Sequence, residues 1–173
     1  SVVGSTVVNS VLLPSYRAVE GGQAPRRELH FQAVGMAAGL NLLFVALVVA
    51  LGADFLRLGY GTKWDAAAGP LVILSFAGLF RALGSLTGEF LVAAGQPASY
   101  RTMNLVQLGA AAIALVPAFR WRGAEGVAVA MASAAGLSML CGWWAARRPL
   151  GVGPQHFVPV VAPALLAFAV TWI

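Results

Sequence analysis

Apolar residues run through this chain in long blocks, separated by short polar interruptions. The block 71–94, LVILSFAGLFRALGSLTGEFLVAA, organises the rest. As a helix it is long enough to cross a bilayer, because about 20 helical residues span about 30 Å of hydrocarbon. Pro70 suits the first turn of that helix, where a missing N–H is harmless. Gly95 suits its C-terminal cap, and Pro97 stops its continuation. Residues 31–53 predict a second spanning helix, 103–119 a shorter one and 126–146 another, rich in Ala, Gly and Ser. Trp143 and Trp144 near the end of that last block read as interface anchors. Residues 157–173 begin a further span, broken by Pro159 and Pro163. Ser1 to Leu13 is too short to span and reads as the C-terminal half of a helix.

The interruptions have their own signals. Residues 15–30 predict a polar loop with room for a short interfacial helix, broken by Gly21, Gly22 and Pro25. Residues 54–69 predict a second loop, whose Tyr60 and Trp64 suit an interface. RWRGAE, Arg120 to Glu125, predicts a tight turn. The expected fold class is all-α: a polytopic transmembrane helix bundle with one truncated helix and about five spanning segments. The chain does not start with Met, and its last residues, AFAVTWI, stop within an apolar run. It therefore reads as a fragment of a longer membrane protein.

Composition supports the class. Hydrophobic residues make up 60% of the 173 and charged residues only 10%, against about 25% charged in a soluble domain. Mean hydropathy is +0.82. The balance is basic, 11 Lys+Arg against 6 Asp+Glu. Most of the arginines sit in short loops, which suits topology control and contact with anionic membrane lipids rather than nucleic acid. Loops after Leu13, Ala94 and Ala146 hold Arg17, Arg26, Arg27, Arg101, Arg147 and Arg148. Those on the opposite side hold Arg57, Lys63, Arg120 and Arg122. The first set is expected to face the cytoplasm. Cys141 is the only cysteine, so no intrachain disulfide forms.

The candidate chemistry lies in polar residues within the apolar blocks. Arg81 falls near the middle of 71–94, where a charge costs at least about 2.5–3.5 kcal/mol. Such residues face a protein interior or a water-filled cavity. At about 100° per residue, Arg81, Ser85 and Gly88 share nearly one face, with Gly84 beside them. Glu89 is displaced by about 80° and about 12 Å along the axis, too far for a direct ion pair. Two readings of Arg81 stand: it pairs with a buried carboxylate or free carbonyl and holds the bundle, or it lines a hydrated cavity and meets an anionic substrate group. Glu89 either shares the substrate site or lies below the interface, exposed to headgroups. Gly84 to Gly88, GSLTG, reads as a small-residue face. Gly35 and Gly39 form a GxxxG pair that permits close helix approach. Asn41 reads as an interhelical hydrogen bond rather than a ligand. His30 and His156 have no Cys, Asp or His at ligand spacing, so no metal site is expected. No HExxH, GxSxG or P-loop pattern occurs, and neither catalytic residues nor a cofactor are expected.

The order of these features carries a resemblance. VLLPSYRAVE ends one helix. A basic loop and a spanning helix follow, then GYGTKWDAAAGPLVILSFAGLFRALGSLTGEFLVAAGQP, a short helix, and RGAEGVAVA opening another. This resembles the Wzx-like polysaccharide flippases of the multidrug/oligosaccharidyl-lipid/polysaccharide exporter superfamily. The matching residues are Pro14, Gly61, Trp64, Ala67, Leu74, Gly78, Leu79, Arg81, Gly95, Pro97, Gly123, Gly126 and Val127. SYR after Pro14 departs from the family, as does Glu89 at a position usually uncharged there. The resemblance implies helices in two lobes around a central cavity, with this chain as most of the second lobe and the missing lobe as its partner. It implies movement of a lipid-linked oligosaccharide, carried on undecaprenyl diphosphate, across the bacterial inner membrane for cell-surface polysaccharide, including lipopolysaccharide. Two alternatives remain open. One is a drug/cation antiporter of the same superfamily, which would place acidic residues deep in its lobes. The other is a non-transport scaffold subunit, for which Arg81 matters only in assembly.

Overall fold

The computed structural model describes residues 23–150. The expected half-helix at 1–13 and the span at 157–173 lie outside the described residues. Three helices follow in order: α1, Gln23–Tyr60; α2, Ala68–Ala93; and α3, Pro97–Leu150, with a 3-10 turn at Thr62–Ala67 between the first two. Among the described residues there is no strand, and the fold class is all-α. All three helices are long and apolar enough to cross a membrane, and the chain is a membrane protein.

Each helix runs beyond its apolar block. α1 starts at Gln23 rather than after a loop ending at His30. Pro25 falls in its first turn, where a helix needs no N–H donor. α1 then continues past Ala53 to Tyr60, because Asp54 and Arg57 are compatible with helix and nothing before Gly61 reverses the chain. Gly61 does so with φ +85°, donating its N–H to the Arg57 carbonyl at 3.0 Å. Arg57 also bridges to Asp65 through two hydrogen bonds of 2.8 and 3.1 Å, which tie the end of α1 to the 3-10 turn. The hydrogen bond from Arg57 holds the Asp65 carboxyl below the usual carboxylate range.

α2 ends in a Schellman motif. Gln96 N–H reaches the Leu91 carbonyl at 2.8 Å and Gly95 N–H reaches Val92 at 3.1 Å, with Gly95 at φ +77°. Pro97 then opens α3 directly.

α3 is a hairpin of two limbs. Helical geometry fails at Arg122 (φ −138°, ψ 20°) and Gly123 (φ 57°, ψ −128°), where the RWRGAE turn was expected. The limbs run antiparallel. Ser138 Oγ donates to the Met103 carbonyl at 2.9 Å. Gly142 lies against the Met103 side chain, and Gly126 against the Ala118 carbonyl. At both glycines an added Cβ would overlap the facing limb. Each limb is longer than the about 20 residues that a crossing requires.

α2 is the central element, packed on α1 on one side and on α3 on the other, while α1 and α3 scarcely meet. Its core partners are Val34, Ala38 and Val45 of α1 and Ala135, Met139 and Trp143 of α3, gathered around Phe76, Leu79, Phe80, Leu83 and Leu86. A second cluster joins Phe90 and Leu91 to Met103 and Ala146 at the far end. Polypeptide ends therefore alternate. Arg101 and Arg147 lie toward the end holding Phe90, and Arg57, Lys63, Arg120 and Arg122 toward the opposite one.

Several polar residues take other roles than the sequence implies. Asn41 does not bridge helices: its Nδ2 donates to the Ala37 carbonyl of its own helix at 2.8 Å. Gly35 and Gly39 have no neighbour where a Cβ would stand, so the GxxxG pair makes no close contact among the described residues. Trp143 is not an interface anchor but a core residue, whereas Trp144 is exposed, with the Arg147 guanidinium 4.8 Å from its ring centre. Cys141 is a free thiol, half-buried.

Candidate functional site

α2 is enclosed along most of its circumference. From Leu86 to Leu91 every residue is buried, because α1 and both limbs of α3 surround that half. One stripe is open: Leu74, Gly78 and Arg81 are exposed at the i, i+4, i+7 spacing of a single helical face, with Ser85 half-buried next along it. Arg81 thus occupies the uncovered face of the most buried helix. It makes no hydrogen bond or ion pair among the described residues. Of the two readings of Arg81, the pairing with a carboxylate is not seen among the described residues.

The predicted small-residue face divides. Gly84 packs on the backbone of Met139, with 3.8 Å between a notional Cβ and Met139 Cα, and Gly88 receives the Tyr100 ring. Both therefore serve helix packing. Ser85 Oγ donates to the Ala82 carbonyl at 2.9 Å. Only Arg81 and Ser85 of the predicted stripe remain on the open side.

Glu89 sits in the enclosed half, 8% exposed, and its Oε2 is buried with no hydrogen-bond partner. Exposure to headgroups does not describe it. The structure does not bring Arg81 and Glu89 together.

The same end of the bundle carries polar groups to which the sequence assigned no site role. His30 is 1% exposed and packs against Phe90 in a tilted arrangement, ring centres 4.8 Å apart. Thr87 is fully buried; its Oγ1 accepts from Trp143 Nε1 at 3.0 Å and donates to the Leu83 carbonyl at 3.1 Å. The signal for Thr87 was present in GSLTG, as the one residue there with a hydroxyl facing away from Ser85. His30 gave none, because its burial depends on α1 starting earlier than the apolar pattern.

A pocket of about 400 Å³ opens at the opposite end. Val48 of α1 and Val72, Ile73 and Phe76 of α2 form its apolar floor. Arg122 and Glu125 of the α3 turn stand at its rim, 3.9 Å apart and each 47% exposed at the side chain. The sequence signal was the i, i+3 spacing of these two in RWRGAE. No group of three or more metal-ligating side chains occurs among the described residues.

Comparison with protein-family models, with curated proteins and with solved structures finds no match to this chain.

Proposed function

We infer that this chain is part of a membrane flippase that carries a lipid-linked oligosaccharide, an undecaprenyl-diphosphate-linked repeat unit, across the bacterial inner membrane for cell-surface polysaccharide. The observation that carries the reading is the placement of Arg81. It is a cation without a protein partner among the described residues, on the one open stripe of the helix that all the others pack around. A purely structural arginine in a bundle would be expected to hold a carboxylate or a carbonyl.

The proposed mechanism follows from the substrate's chemistry. Its hydrocarbon tail can stay in the bilayer while sugar and diphosphate cross. Those polar groups need a hydrated route, and a guanidinium on that route offsets the loss of water around the phosphate charges through charge-assisted hydrogen bonds. Rocking of this lobe against a second one would expose the route to each side in turn.

The test uses the full-length gene with Arg81→Ala and Arg81→Lys, measuring surface polysaccharide and protein level together. Lost polysaccharide at normal protein level in Arg81→Ala, with partial recovery in Arg81→Lys, is expected. Normal polysaccharide in Arg81→Ala defeats the assignment. Loss of the protein itself favours the scaffold reading.

The buried, unpartnered Oε2 of Glu89 favours one second reading, a drug/cation antiporter. In that case Glu89→Gln abolishes cation-coupled drug efflux and leaves surface polysaccharide untouched.

A further inference from the structure

The pocket at the α3 turn has the make-up of a site for an amphiphile. Its floor is apolar, and its volume of about 400 Å³ falls within the range of small-molecule sites, about 300–1,000 Å³. Its mouth reaches the surface, since Val49, Gly69, Arg122 and Glu125 on its lining are all exposed. Two backbone features build the rim. Gly123, at φ +57°, turns α3 so that Arg122 and Glu125 flank the opening. Gly69 admits the Glu125 carboxylate, because a Cβ there would stand 2.9 Å from Oε1. The surroundings match a membrane interface: Tyr60 and Trp64 pack with ring centres 5.7 Å apart, and Trp121 carries the Arg122 guanidinium 5.2 Å from its ring centre.

We propose that this pocket binds one bilayer phospholipid with a zwitterionic, primary-ammonium headgroup of the phosphatidylethanolamine class. An acyl chain fills the floor between Val48, Val72 and Phe76. The phosphate meets Arg122, and the ammonium donates to the Glu125 carboxylate. Arg122 and Glu125, 3.9 Å apart at the rim, present opposite charges to the two ends of such a headgroup. Glu125 repels a headgroup of net negative charge. A quaternary ammonium offers it no N–H. The site is separate from Arg81 and independent of what the chain transports.

The experiment is lipid retention by the full-length protein. It is purified in mild detergent, exchanged into nanodiscs or micelles with phosphatidylethanolamine, phosphatidylglycerol or phosphatidylcholine, and read by native mass spectrometry. One phosphatidylethanolamine per chain, held at least about tenfold more tightly than the other two, is expected. Glu125→Gln should abolish that preference, and Val72→Trp, which fills the floor, should abolish retention. Circular dichroism of each variant confirms an unchanged helix content, and Leu74→Trp, on the exposed stripe, is the control that keeps the lipid. Equal retention of the three lipids overturns the proposal. So does retention that survives Val72→Trp, or an empty wild type, whether another segment or a second copy fills the groove.

Discussion

The buried hydrogen bond between Trp143 and Thr87 gives the sharpest test of how this bundle is held together. Thr87→Val keeps the side-chain volume and removes the hydroxyl. Two bonds go with it: the 3.0 Å bond that accepts from Trp143 Nε1 and the 3.1 Å bond that donates to the Leu83 carbonyl. The second loss is minor, since that carbonyl can still accept the backbone N–H one turn on. The first leaves the indole N–H without this acceptor in a site where Thr87 is 0% and Trp143 6% exposed. An orphaned buried donor costs about 1–3 kcal/mol in a soluble core. Measured interhelical hydrogen bonds in a membrane bundle average nearer about 0.6 kcal/mol, with a maximum of about 1.7. Thr87→Val should therefore cost about 1 kcal/mol. The discriminating step is the double-mutant cycle with Trp143→Phe, which removes the donor. In that background Thr87→Val should cost less than half as much, giving a coupling of roughly 0.5–1 kcal/mol. The assay is unfolding in mixed micelles by added anionic detergent, followed by far-ultraviolet circular dichroism so that loss of a tryptophan does not disturb the signal. Equal cost in both backgrounds would refute the claim that this bond links α2 to α3.

Other perturbations separate packing from function. Gly126→Ala puts a methyl onto the Ala118 backbone carbonyl, which cannot rotate away; a loss of about 1–3 kcal/mol in the same unfolding assay is expected. Glu89→Gln should leave stability equal or higher, because a buried oxygen without a partner gains nothing from its charge; a clear destabilisation would mean that the carboxylate is paired. Arg81→Leu should leave the unfolding midpoint unchanged, since no partner among the described residues is lost, while abolishing the transport proposed above. Asp65→Asn should barely move the midpoint, because both side chains of the pair are exposed, and any difference should vanish in high salt.

The sequence alone determined the class, the position of the apolar helices and two of the chain reversals. Long apolar blocks with few charges leave a helix as the way to satisfy every backbone group in lipid. Gly95 before Pro97 and the glycine of RWRGAE mark turns because only glycine takes the positive φ found at Gly95 and Gly123 without strain. These are local effects, legible from neighbouring residues. Tertiary structure decided which face of each helix is covered. Gly84 and Gly88 share a helical face with Ser85 and Arg81, yet Met139 and Tyr100 cover the glycines while Arg81 stays open. Trp143 and Trp144 are adjacent and chemically identical, but only Trp143 reaches Thr87 and enters the core. The burial of Glu89 and the meeting of Arg122 with a pocket floored by α1 and α2 likewise depend on contacts between residues distant in the chain. Periodicity places a side chain on a face; what lies against that face depends on how the helices pack.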